Sequence, residues 1–282
     1  MHEPGSPSPR LVDGYDAVLL DLDGVVYVGP DAVPRAVEVI NTLRAEGCPI
    51  RYLTNNAYRP PHAVAEQLRR LGIHAADEDV VTSAQAAADL VAARVPPGSA
   101  VLVVGGAGLA EALAERGLVA VWTFDDNPAA VVQGFSPDVG WRLLNEGVRA
   151  VRAGLPWVAS NLDRTIPTPT GIAPGNGLLV EVVRQVTGAD PAAVAGKPER
   201  PLVDAAVASA GAHRPIIVGD RLDTDIAAAH AYGCDSLLVL TGVHTREDAQ
   251  ALPPHARPTF IGDDLRALLL PPLQFDERGA QA

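Results

Sequence analysis

Short, fully apolar runs that break off at an acidic or hydroxyl-bearing residue and lead into a segment of helical period recur along this chain, and they constrain its fold more than any other feature. The runs at 17–20 and 216–218 end at Asp21 and Gly219-Asp220, and the strand expected at 50–53, apolar but for Arg51, ends at Thr54. A strand that is apolar at every position has both faces covered, as in a parallel sheet flanked by helices. The sequence therefore predicts an α/β fold.

The pattern continues on both sides of a long middle section. A helix is expected at 34–46, closing at Gly47, and another after Pro60 and Pro61, where Val64, Leu68 and Leu71 recur at helical spacing before Gly72. A short strand should end near Val81. From Ser83 a second α/β unit is expected: helices through Val91, at 109–117 and at 141–151, and strands at 100–104, 119–122, 130–132 and 157–159. The Pro/Gly/Thr-rich stretch 164–177 reads as a turn region and return hinge. Beyond it come a helix at 178–186, a helix through Val207, the strand 216–218, a helix after Asp225 and a strand at 237–240. The ends, 1–10 and 274–282, are expected to be loose.

Composition excludes several classes. With 48% hydrophobic and 20% charged residues the chain can bury a core. A net charge of −12, from 22 basic and 34 acidic residues, argues against nucleic acid, whose phosphates call for clustered Lys and Arg. Two cysteines, Cys48 and Cys234, make no disulfide framework and suit a reducing compartment. No stretch reaches the ~18 apolar residues of a membrane span, so a cytoplasmic protein is expected. His62, His74, His213 and His230 show no paired metal-ligand spacing, and Trp122, Trp141 and Trp157 read first as core packing of the second unit.

Four polar motifs carry the chemistry. Asp21 and Asp23 in Asp21-Leu22-Asp23-Gly24 sit two apart on an extended segment, so both can face one site, where repulsion raises a pKa or demands a cation; a solvated turn accounts for them equally. Thr54-Asn55-Asn56 offers a hydroxyl and two amides to a phosphoryl oxygen, or an ordinary helix cap. Gly196-Lys197-Pro198-Glu199 places a lysine before a helix but is not a Walker loop, since Pro198 stands where Ser or Thr is required. In Gly219-Asp220-Arg221-Leu222-Asp223-Thr224-Asp225 a strand again feeds an acid, while Thr224 and Asp225 also suit a helix start. Two weaker patterns fail. Gly105-Gly106-Ala107-Gly108 lacks the third glycine of a dinucleotide fingerprint, because Glu111 stands there, and Gly134-Phe135-Ser136-Pro137-Asp138 lacks the closing glycine of a nucleophile elbow.

In this order the four motifs resemble those of the haloacid dehalogenase superfamily, and of its NagD-like and p-nitrophenylphosphatase-like phosphatases in particular. The resemblance covers nearly the whole chain. It implies a Rossmann-like parallel-sheet core formed by residues 1–82 and 178–282, with an α/β cap, 83–177, inserted between the second and third motifs. It also implies a phosphatase in which Asp21 is the nucleophile, Asp23 the acid/base, and Thr54 and Lys197 complete the catalytic set. Mg²⁺ would be held by the Asp21 and Asp220 carboxylates and the Asp23 carbonyl, with Asp225 orienting a metal-bound water or Lys197. Asn55 and Asn56 would assist phosphate binding. Asn161 and Asp163, in the loop 160–164, are expected to touch substrate, with an Asx-turn the competing reading. The expected partner is a small phosphorylated metabolite, with a homo-oligomer allowed. Glycerol 3-phosphate is favoured because the 160–164 loop and Pro174-Gly175-Asn176-Gly177 look similar to bacterial relatives acting on glycerol phosphate. Sugar phosphates, pyridoxal phosphate and nucleoside monophosphates are the rivals, and a non-enzymatic ligand-binding protein on this fold is the alternative of another class.

Overall fold

The computed structural model describes residues 9–168 and 171–275. In chain order its strands are β1 (Ala17–Asp21), β2 (Tyr27–Val28), β3 (Asp31–Ala32), β4 (Ile50–Thr54), β5 (Val80–Thr82), β6 (Ala100–Val104), β7 (Val119–Val121) and β8 (Ala130–Gln133). They continue with β9 (Trp157–Ala159), β10 (Thr165–Thr168), β11 (Gly171–Pro174), β12 (Ala193–Val194), β13 (Pro215–Gly219), β14 (Asp235–Val239) and β15 (Phe260–Gly262). The helices are α1 (Ala36–Ala45), α2 (Pro61–Arg70), α3 (Ser83–Ala92), α4 (Ala107–Glu115), α5 (Trp141–Arg152), α6 (Asn176–Thr187), α7 (Arg200–Ala210), α8 (Ala227–Tyr232) and α9 (Arg246–Ala251).

Two compact units form. The first comprises the described residues up to Tyr52, Arg69–His74, and those from Val207 onward; the second comprises Leu53–Leu68 and Ala75–Ala206. In the first unit the strand order is β15-β14-β13-β1-β4, and the division falls inside β4, with β5, the sixth strand of this sheet, counted in the second unit. β1 pairs in parallel with β13, Leu20 opposite Val218, and β13 and β14 continue in parallel toward β15. Val18, Leu19, Leu20, Ile216, Ile217 and Val218 are fully buried, as their unbroken apolar character requires. Leu222, Ile226, Leu238, Ala249, Ile261 and Phe275 pack together as a further cluster of buried residues.

The second unit holds a five-stranded sheet in the order β12-β9-β8-β6-β7, parallel throughout. Its core joins Leu102, Val104, Val131, Trp157 and Ala159 to Val180 and Val183 of α6, with Val194 packed against them. α6 and β12, which the expected boundary at 177/178 assigns to the other α/β body, thus pack with this sheet.

Three expectations change. The stretch read as turns at 164–177 contains an antiparallel hairpin, β10 with β11, Thr165 opposite Pro174. Its base is closed by the Gly175 N–H donating to the Arg164 carbonyl and the Gly177 N–H to that of Asp163, both at 2.8 Å. Of the three tryptophans only Trp157 is core; Trp122 and Trp141 are exposed, the latter at 77%. The described parts of the ends are tied down: the Arg10 guanidinium pairs with Asp13 at 2.8 Å and Glu46 at 2.9 Å, Gln274 bridges to Phe260, and Phe275 is buried. The rest of both ends, residues 1–8 and 276–282, lies outside the described residues.

Candidate active site

Because β1 and β13 run in parallel and in register, their carboxyl ends deliver Asp21 and Asp220 to one edge, where ligand sites of open α/β sheets lie. A single π turn, Leu222–Ile226, stands where a regular helix start was expected and carries Asp225 to the same place. One carboxylate oxygen from each of Asp21, Asp220 and Asp225 lies within 4.8 Å of the others. Asp21 is half-buried and the other two are buried. Three carboxylates this close, two of them out of water, repel one another unless positive charge is brought in. An all-oxygen donor set of this kind suits a hard divalent cation such as Mg²⁺.

Missing side chains shape the cluster as much as present ones. Gly24 has φ +82°, and a Cβ there would stand 2.5 Å from the Asp220 Oδ2. A Cβ on Gly219 would run into the Asp225 side chain, whose Oδ2 accepts the Arg221 N–H at 3.1 Å. Asp23 is exposed and its side chain stands outside the three-carboxylate group; its backbone bridges to Tyr27. Asp223 faces outward, paired with Arg221 at 2.7 Å. Burial pushes its carboxyl up, but the Arg221 guanidinium more than reverses that and holds it below the ordinary value.

The second unit builds a different kind of constellation. Lys197 is 3% exposed, and its backbone is gripped by the Asn55 amide: the Lys197 N–H donates to Oδ1 at 2.8 Å, and Nδ2 donates to the Lys197 carbonyl at 3.0 Å. Gly196 is needed beside this grip, since a Cβ would stand 2.5 Å from the same Oδ1. Nδ2 of Asn55 also reaches both Asp163 oxygens, at 3.1 and 3.2 Å. The Asn55 carbonyl accepts from Asn161 Nδ2 at 2.7 Å and Ser83 Oγ at 2.6 Å. Asn161 is buried, its Oδ1 accepts the Asp163 N–H at 3.1 Å as in an Asx-turn, and its carbonyl accepts from Asn176 Nδ2 at 2.8 Å. Thr54 is buried at the end of β4, with Oγ1 accepting the Asn56 N–H at 3.1 Å. Asn56 is exposed, and its Oδ1 accepts from the Tyr58 and Arg59 amides. Asn55, Asn56, Asn161 and Asp163 thus all have partners within the chain.

Residues that the motifs did not single out complete the first unit's edge. β14 is another buried strand, and it leads into Thr241-Gly242-Val243-His244, which bonds back to the acidic segments. The signal was present: an apolar run followed by a hydroxyl and a glycine, as at the other strand ends.

A family model described as haloacid dehalogenase-like hydrolase matches residues 18–119, and a related HAD-hydrolase-like model matches residues 194–268. The D-glycerol 3-phosphate phosphatase of Mycobacterium tuberculosis (strain ATCC 25618 / H37Rv) is 48% identical over 258 residues, spanning 92% of this chain and 72% of that protein. An acid sugar phosphatase of Staphylococcus aureus (strain USA300) is 39% identical over 253 residues, 89% of this chain and 95% of that one. Among solved structures, a glycerol phosphate phosphatase from Mycobacterium tuberculosis in complex with magnesium matches with a TM-score of 0.89 at 46% identity, covering 93% of this chain and 78% of that one.

Proposed function

The chain belongs to the haloacid dehalogenase-like hydrolases, and on that premise we propose that it is a Mg²⁺-dependent phosphatase of a small phosphate monoester, glycerol 3-phosphate first among them. The observation that carries the reading is the convergence of Asp21, Asp220 and Asp225 at the ends of parallel strands, an oxygen-only set fit for Mg²⁺. Bound there, the cation would supply positive charge against the carboxylates and the substrate's phosphoryl oxygens.

Asp21 is assigned the attack on phosphorus: its carboxylate oxygen forms the new P–O bond, giving an aspartyl-phosphate, as the bond to the substrate alcohol breaks. Asp23, exposed and outside the carboxylate group, is assigned the proton that the leaving oxygen takes up, and then the proton of the water that hydrolyses the aspartyl-phosphate. Thr54 is assigned a hydrogen bond to the phosphoryl group, and Lys197 the charge that offsets it in the transition state. The bonds that Asn55, Asn161 and Asp163 make within the chain favour support of Lys197 and its loop over direct substrate contact. Residues 83–177, with α6 and β12 added, are proposed as the cap that selects small esters, and the rest as the catalytic core. A cytoplasmic location belongs to the same proposal, supported by the free thiols of Cys48 and Cys234.

Glycerol 3-phosphate is supported by the 48% identity to a glycerol 3-phosphate phosphatase; a sugar phosphate is the second reading, supported by the acid sugar phosphatase relative. A phosphate-release panel over both, with p-nitrophenyl phosphate and pyridoxal phosphate, run with Mg²⁺ and with EDTA, tests the proposal. Glycerol 3-phosphate should show the highest kcat/KM, and chelation should abolish release. Full activity in EDTA sinks the metal assignment, and a ranking led by another ester sinks the substrate.

A further inference from the structure

The segment Thr241-Gly242-Val243-His244 has no role in the chemistry assigned above, yet it makes four hydrogen bonds into the two segments that carry the acids. Thr241 Oγ1 donates to the Gly24 carbonyl at 2.6 Å, across 217 positions of chain. The Val243 N–H donates to the Asp220 Oδ2 at 2.7 Å, so that carboxylate cannot rotate without losing a charge-assisted bond. The His244 N–H donates to the Asp220 carbonyl at 3.2 Å, and its Nδ1 accepts the Leu222 N–H at 3.2 Å. Between these contacts a Cβ on Gly242 would overlap the Asp220 carboxylate, which is why the loop can pass so close.

We propose that Thr241 and the Gly242–Val243 peptide are a positioning clamp that holds the Asp23–Gly24 turn against Asp220 and thereby sets the affinity of the cluster for its divalent cation. The clamp is assigned to position the groups that would hold the cation, not to ligate it. Thr241 fixes the peptide after Gly24, one residue beyond Asp23, Val243 fixes the carboxylate of Asp220, and one short loop makes the two move together. Groups that orient ligands from outside are worth roughly 10- to 100-fold in metal affinity, because unheld ligands must be ordered when the metal binds. The inference rests on the reading of the carboxylate cluster as a cation site.

The test measures Mn²⁺ binding to the full chain without substrate, by electron paramagnetic resonance, for wild type, Asp220→Asn, Thr241→Val and Thr241→Ser. Wild type should bind and Asp220→Asn should not; a wild type that binds no Mn²⁺ overturns the metal reading and the clamp with it. Given binding by wild type, Thr241→Val should weaken Kd about tenfold. Thr241→Ser, which keeps the donor, should stay within about twofold of wild type. In turnover, Thr241→Val should regain its kcat at saturating Mg²⁺ with substrate KM unchanged, a signature that general loosening of the fold does not produce. Gly242→Ala, which crowds the same carboxylate, serves should Thr241→Val fail to fold. Wild-type Mn²⁺ affinity in either folded variant, or a kcat that excess Mg²⁺ does not restore, overturns the clamp.

Discussion

The acidic edge of the first unit and the lysine knot of the second solve the same problem, holding a charged group still, by opposite means. Asp21 and Asp220 stand where two buried strands end, so the sheet's register places them, and bare backbone leaves room for Asp220 at Gly24 and Gly242 and for Asp225 at Gly219. Lys197 stands on a loop, and side-chain amides place it: Asn55 pairs with both polar groups of its backbone and is itself held by Asp163, with Asn161 on its carbonyl. Register is a property of many hydrogen bonds at once and survives the loss of any one. A knot built around one amide is not so protected. The comparison teaches that the acids are sensitive to added atoms, whereas the lysine, which also needs a bare Gly196 beside its grip, is in addition sensitive to removed ones.

The largest effect expected from this contrast is chemical. Asp21→Asn should lower kcat by on the order of 10⁴- to 10⁶-fold, the range spanned when single members of a catalytic set are removed, with Tm near wild type because the strand register does not depend on that side chain. Steady-state kinetics beside a thermal melt decide it, and substantial turnover in the variant would end the nucleophile assignment. Asn55→Ala should come next, lowering kcat by about 10²-fold as Lys197 loses its anchor, with a smaller change in KM. Were the loss to appear in KM alone, Asn55 would be a binding residue and the knot an incidental arrangement.

Crowding tests the other side. Gly219→Ala puts a methyl group into the Asp225 side chain and should cost about 1–3 kcal/mol of stability, the usual range for overpacking. A urea titration reads the cost, and an unchanged midpoint would show that the acidic edge yields more easily than the glycines suggest.

The smallest effect lies away from both constellations and follows pH. Glu146 in α5 is held below the ordinary carboxylate range, first by the Phe124 N–H at 2.6 Å and then by Arg149. Since its folded pKa is depressed, the stability it contributes is present above its unfolded pKa and is lost as pH falls through the folded value. The Tm difference between wild type and Glu146→Gln should accordingly be small at neutral pH and disappear in acid. A difference that grows on acidification would contradict the sign.

Much of the first unit was legible because its signals are local. Runs apolar at every position mark buried strands, and the residue that ends each run must leave the sheet at its carboxyl end, so Asp21 and Asp220 could be picked out one at a time. The β10–β11 hairpin was not legible, since Pro167, Pro174 and Gly171 are turn signals and few apolar positions oppose them. β12 is two residues long, too short to carry a period, and Trp141, the first residue of α5, is exposed although Leu143 and Leu144 of the same turn pack against the core.

By itself the sequence determined the α/β class, the chain order of strand-terminal groups, and the motifs by which the chain resembles its family, because strand burial and helical period are written into neighbouring residues. The tertiary structure alone decided what each polar side chain at those ends is used for. Asn55 has the composition of a ligand contact, but its amide is taken up by Lys197, 142 positions away, and Thr241 gained a partner in Gly24 across 217. Hydrogen-bond partners at such separations are chosen by how buried polar groups can be satisfied once the chain is packed, and no local pattern encodes that choice.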